Sequence, residues 1–138
     1  MIPDLDLNDE LDIVIVDRLE RSAIGDYEDP LPASAVLHFA RAIMSPIGAD
    51  LPRIVLDLSP TNAMEAAGYY DRPTATVHLL PEACLPSVIA HELAHHLCPE
   101  LGHGTAFLRA LRTIYRAGQW HFDVAGFDAK LADMGMEI

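Results

Sequence analysis

A chain of 138 residues, 51% of them hydrophobic, has the length of one domain and enough apolar mass to bury a single core without crosslinks. A formal charge of −12 opposes phosphate-rich surfaces, so nucleic acid and anionic membrane are not expected partners. The two cysteines, Cys84 and Cys98, follow an opening MIPDLDLNDE that has neither the basic nor the apolar region of a secretory signal, and free thiols in a cytoplasmic protein are the expectation.

No internal repeat is visible and the ten prolines do not gather into a linker, so one domain over 1–138 is predicted. LDIVIVDRLE, 11–20, is β-branched and alternates toward polar ends, which reads as a strand. ASAVLHFARAIMS, 33–45, places Val36, Ala40, Ile43 and Met44 on one helical face behind Pro32 and ends at Pro46. LPRIVLDLS, 51–59, reads as a second strand. AAGYYDRPTATVHLLP carries two short β-like runs joined through Asp71, Arg72 and Pro73, a hairpin whose second arm is Thr74 to Leu80. Pro86 suits a helical first turn, and that helix runs to about Leu97. The next, Thr105 to Ala117, lines up Phe107, Leu108, Leu111, Ile114 and Tyr115, with Gly118 placed to end it. A short last helix spans about Val124 to Asp133. The order strand, helix, strand, hairpin, helix, helix predicts an α+β domain.

HELAHHLCPELGHG, 91–104, concentrates four histidines, one cysteine and two glutamates. At about 100° per residue, His91 and His95 lie one turn apart and roughly 40° from each other around the axis, so both rings reach one ion. Ile89, Leu93 and Leu97 form the opposite stripe, which leaves the histidine pair facing a cleft. Glu92 projects beside the pair, too far to ligate yet able to reach a water on the ion. This is H-E-x-x-H, in which two neutral imidazoles bind Zn2+ and the glutamate accepts the proton of the water that zinc activates.

A hydrolytic zinc site needs three protein ligands and one open position. On a continuous helix His103 would lie about 12 Å beyond His95. Pro99 breaks the helix, and Gly102 and Gly104 permit left-handed or tight backbone, so the chain turns back and offers His103 as the third ligand. Cys98 and Glu100 are the rivals for that position, and a thiolate would give a tighter, more structural site. His96 points roughly 120° from the ligand pair, toward the core, as a packed or hydrogen-bonded ring.

These residues resemble the zincin metallopeptidases, and within them the small gluzincin-type SprT-like group. There H-E-x-x-H is followed, after a loop, by G-H-G-x-x-F, which Gly102, His103, Gly104 and Phe107 match. Compact metallohydrolases of actinobacteria and their phages are similar. The resemblance spans roughly residues 74–117 and implies a zincin-like fold, with a small mixed sheet packed against the active-site helix and flanking helices. It also implies a peptide or protein substrate paired along an edge strand, here Thr74 to Leu80. The chain lacks the basic region or cysteine zinc ribbon of DNA-acting members, so repair of crosslinked protein is not implied.

The expected function is a zinc-dependent metallohydrolase, a metallopeptidase, with His91, His95 and His103 on the metal and Glu92 as general base. One alternative is a non-catalytic binding or regulatory module stabilised by the same zinc, against which Glu92 counts, since a structural ion needs no base. The other is a hydrolase of a non-peptide amide. For the oxyanion, Tyr69, Tyr70, Tyr115, His78 and His121 are conceivable donors, each read first as a packing residue. Arg109, Arg112 and Arg116 read as a solvated basic stripe.

Overall fold

Helical period decides the first element. In the computed structural model, which describes residues 13–25, 27–57 and 67–138, Ile13–Ile24 forms helix α1 where the sequence predicts a strand. Val16, Leu19 and Ala23 fall on one stripe and are buried, while Asp17 and Arg21, one turn apart, pair at 2.8 Å on the exposed side. The β-branched run loses roughly half a kcal/mol per residue in a helix. Burying Val16 and Leu19 returns about 1.5–3 kcal/mol each, so the apolar stripe wins. Helix α2, Ala33–Ile47, buries the expected Val36, Ala40, Ile43 and Met44 together with Phe39. It passes its expected stop because Pro46, in the last turn, forfeits only its own bond to the carbonyl of Ala42.

Strands β1 (Arg53–Val55), β2 (Gly68–Asp71) and β3 (Thr76–Leu79) make a mixed sheet in the order β1-β3-β2. The predicted hairpin is present: β2 and β3 run antiparallel with Tyr70 opposite Val77, joined by a 3-10 turn over Arg72–Thr74. β1 runs parallel to β3, with Ile54 opposite Val77. This corrects the part given to Thr74 to Leu80. Its strand, Thr76–Leu79, is central and has neighbours on both sides, so it is no edge on which a peptide could add. A parallel partner is brought in by the chain's return path, which no local pattern reports. Of the strand predicted over 51–59, residues 58 and 59 lie outside the described residues.

Helices α3 (Pro86–Leu97), α4 (Thr105–Ala117) and α5 (Val124–Asp133) have the predicted bounds. α3 lies against β2 and β3 on one side and α4 on the other, α4 also meets α2 and α5, and α5 packs on α1. Ile89 and Leu93 are fully buried and Leu97 partly, as the stripe predicts. The start of α3 is held from outside. Leu85 has no side-chain cap to give, and the Glu28 carboxylate instead accepts the Ser87 N–H at 3.0 Å and the Ser87 hydroxyl. The architecture is mixed α+β, with five helices and a three-stranded sheet among the described residues. None of these helices is long and apolar enough to cross a membrane.

Candidate metal centre

α3 sets His91 and His95 one turn apart, and the chain then reverses. Cys98 closes the helix with its N–H on the Ala94 carbonyl at 2.9 Å, Pro99 has no N–H to continue it, and Gly102 takes the left-handed conformation at φ 85°. Gly104 is ordinary extended backbone at φ −84°, so of the two glycines only Gly102 uses its freedom. The reversal brings Nε2 of His103 to 3.1 Å from Nε2 of both His91 and His95. The three ligand atoms all lie within 4.8 Å of one another, close enough to hold one metal ion. Phe107, buried in the first turns of α4, is the floor: its ring centroid is 4.9 Å from His91, 4.6 Å from His95 and 4.9 Å from His103.

The donor set fits an ion. Nδ1 of His91 lies 2.7 Å from Oε2 of Glu20. A carboxylate only accepts, so Nδ1–H donates and the lone pair of the neutral ring sits on Nε2, facing the cluster. Ligand nitrogens around a tetrahedral ion with bonds of about 2.0–2.1 Å stand roughly 3.3 Å apart, near the separations found here. Burial above all, then His91, His103 and Arg72, lowers the His95 pKa to about 3, which keeps that ring in its neutral, ligating form. His91 goes the other way: burial lowers its pKa, but the hydrogen bond and charge of Glu20, with Glu92, more than offset this.

Glu92 is buried, at 7% exposure, and belongs to two cavities at once. These cavities, of about 420 and 460 Å³, share Gly68, His91 and Glu92. Burial, helped by Glu20 and opposed by His91, raises the Glu92 pKa to about 7. Among the described residues no hydrogen bond occupies its carboxylate. Gly68 makes room for it: a Cβ there would come 2.7 Å from Cγ1 of Val88 and 3.3 Å from Oε2 of Glu92.

The other sequence candidates fall elsewhere. Cys98 is buried with its thiol on the Glu100 carbonyl at 3.5 Å, and neither Cys98 nor Glu100 joins the histidine cluster. His96 donates from Nε2 to the Asp50 carbonyl at 2.9 Å and accepts the Tyr70 hydroxyl at Nδ1 at 2.7 Å, the hydrogen-bonded ring that was expected. Tyr69 and Tyr70 both line the larger cavity beside the histidines, but the Tyr70 proton is committed to His96. His78 donates to the Asp57 carbonyl, and His121 packs edge-on against Phe39. Tyr115 is buried in the core against Phe122 and Phe127. Arg109, Arg112 and Arg116 line neither of these two cavities.

Three contributors were missed: Glu20, Gly68 and Arg72. Glu20 had a signal, since a helical reading of 13–24 puts it one turn from Val16 and three residues before Ala23, an acid on a buried stripe. Gly68 and Arg72 act across the fold and carried none. The chain matches no protein-family model, no curated protein and no solved structure.

Proposed function

We propose that this chain is a zinc-dependent hydrolase, a metallopeptidase of zincin type akin to the SprT-like group, acting on peptide or protein substrates. One observation carries the reading: Glu92, 7% exposed and without a hydrogen bond among the described residues, opens its carboxylate to both cavities beside the three imidazoles. Holding such a group in a buried site costs free energy that a purely structural ion would not require. With Cys98 and Glu100 outside the cluster, three imidazoles among the described residues leave a coordination position open, which distinguishes a reactive site from a closed structural one. This disfavours the zinc-stabilised binding module.

His91, His95 and His103 would hold the zinc, which when bound would supply Lewis-acid polarisation of the scissile carbonyl and acidify water toward neutral pH. Glu92 would take the proton of the attacking water on its carboxylate and pass it to the leaving amine. Glu20, through Nδ1–H of His91, keeps that ring in one tautomer and one orientation.

Protein expressed with zinc is expected to carry about one ion per chain and to cut a denatured protein such as casein, with activity lost to a chelator and restored by added zinc. Finding no bound metal would overturn the reading. Retained zinc with cleavage of small amides but of no protein would move it to the non-peptide alternative.

Gly68→Ala gives a local check on Glu92. The new methyl displaces Val88 and the Glu92 side chain, and misplacing a reacting group by about an ångström costs roughly ten- to a hundredfold in rate. Zinc content, set by the three histidines, is expected to stay at the parental level. Parental activity in the variant would show that the carboxylate's position does not matter.

A further inference from the structure

The end of the motif helix leaves a carbonyl without a backbone donor. Cys98 is extended (φ −90°, ψ 119°) and Pro99 has no N–H, so the His95 carbonyl is one of the terminal carbonyls that the helix itself does not satisfy. Arg72, in the turn between β2 and β3, supplies the donor. Its Nη2 donates to the His95 carbonyl at 3.2 Å and the Glu100 carbonyl at 3.3 Å, and its Nη1 to the Cys98 carbonyl at 2.7 Å. The guanidinium also lies 5.5 Å from the centroid of the Tyr70 ring. Three carbonyls from the helix end and the loop beyond it thus converge on one planar fork, a geometry that an ammonium group does not reproduce.

We propose that Arg72 is a positioning residue of the metal centre: it takes up the His95 carbonyl that the helix end leaves without a donor and ties residues 98–100 to the hairpin, so that the chain leaving Gly102 returns His103 to His91 and His95. The same tie accounts for the two rejected ligands. With the Cys98 and Glu100 carbonyls drawn to Arg72 and the Cys98 thiol on the Glu100 carbonyl, the stretch nearest the helix end is spent on backbone contacts and the first imidazole after it becomes the third ligand.

The inference rests on residues 91, 95 and 103 being metal ligands. Zinc affinity, measured by competition with a chromophoric chelator, is compared for the parent, Arg72→Gln and Arg72→Lys. Far-UV circular dichroism reports folding. Asp123→Ala, which removes the cap of α5, serves as a destabilised control remote from the histidines. Arg72→Gln is expected to weaken zinc binding about 10–100-fold, the range for losing a residue that orients a ligand, and Arg72→Lys to fall between it and the parent. Arg72→Gln affinity within about twofold of the parent, the limit of additivity between independent sites, overturns the proposal, even if its melting temperature drops as in the control. If Arg72→Gln does not fold, parental affinity in Arg72→Lys overturns it. A parent that binds no zinc overturns the metal-site reading itself.

Discussion

Replacing His103 by alanine is expected to weaken zinc binding by more than the roughly 10–100-fold that loss of a supporting residue costs, and to abolish hydrolysis. Cys98→Ser and His96→Ala are expected to keep the metal. His103 Nε2 is the atom that meets both other imidazoles at 3.1 Å, so its removal leaves two ligands on adjacent turns of one helix. Cys98→Ser preserves a donor toward the Glu100 carbonyl. His96→Ala removes the partner of the part-buried Tyr70 hydroxyl, and water takes its place at the exposed Asp50 carbonyl, without touching the cluster. Elemental analysis and chelator competition on the three purified variants check this. If His103→Ala retains zinc and Cys98→Ser loses it, the site is two imidazoles and a thiolate. A thiolate donates more charge than imidazole, the Lewis-acid contribution falls, and the peptidase reading weakens with it.

Glu92→Gln is expected to keep zinc and lose hydrolysis by about 10²–10⁴-fold, the usual contribution of a positioned general base. Glutamine keeps the shape that Gly68 and Val88 enclose but takes no proton. Undiminished turnover, on any substrate the parent cleaves, refutes the assigned role. The same variant has a second readout in metal-free protein. Glu92 titrates near 7 in the folded chain against an ordinary value of 4.5. Between these values the folded protein holds a proton that the unfolded chain has released, so the Glu92 contribution to stability falls as pH rises through that window. Below pH 4.5 both states are protonated and parent and variant agree. Above pH 7 the buried charge costs the parent up to about 3 kcal/mol, which for a chain of this size is several degrees of melting temperature. His95, held neutral down to about 3, titrates in the opposite sense, with stability rising as pH rises from that value to 6.5. His95 is common to both proteins, whereas His91, whose raised pKa Glu92 supports, shifts with the substitution, so the difference reports Glu92 together with its coupling to His91. Equal pH profiles of thermal unfolding for the metal-free pair would contradict the buried, proton-holding carboxylate.

The clustering of three imidazoles with Glu92 beside them was legible because each element of the signal is local. His91, Glu92 and His95 share one helix whose phase is read from Ile89 and Leu93. The reversal to His103 is written in Pro99 and Gly102, two residues whose backbone restrictions do not depend on context. The bounds of α3, α4 and α5 were legible for the same reason, through Pro86, Gly118 and continuous apolar stripes. α1 was misread because four β-branched residues outweighed, on inspection, a stripe that becomes visible only when the window extends to Ala23.

What the sequence by itself determined is therefore the motif helix, its break and the identity of the three imidazoles, since short-range sterics and helical period act within a few residues. What only the tertiary structure decided is everything that acts between distant parts of the chain. Glu20 reaches His91 from 71 positions away, and Arg72 reaches the loop from 23 to 28 positions away. The central place of Thr76–Leu79, which removes it as a docking edge, comes from β1 pairing along it in parallel. Each of these contacts depends on how α1, the sheet and α3 bury their apolar faces against one another. That arrangement is a property of the whole core, and hydrophobic burial, being non-directional, leaves no local mark of which polar groups it will bring face to face.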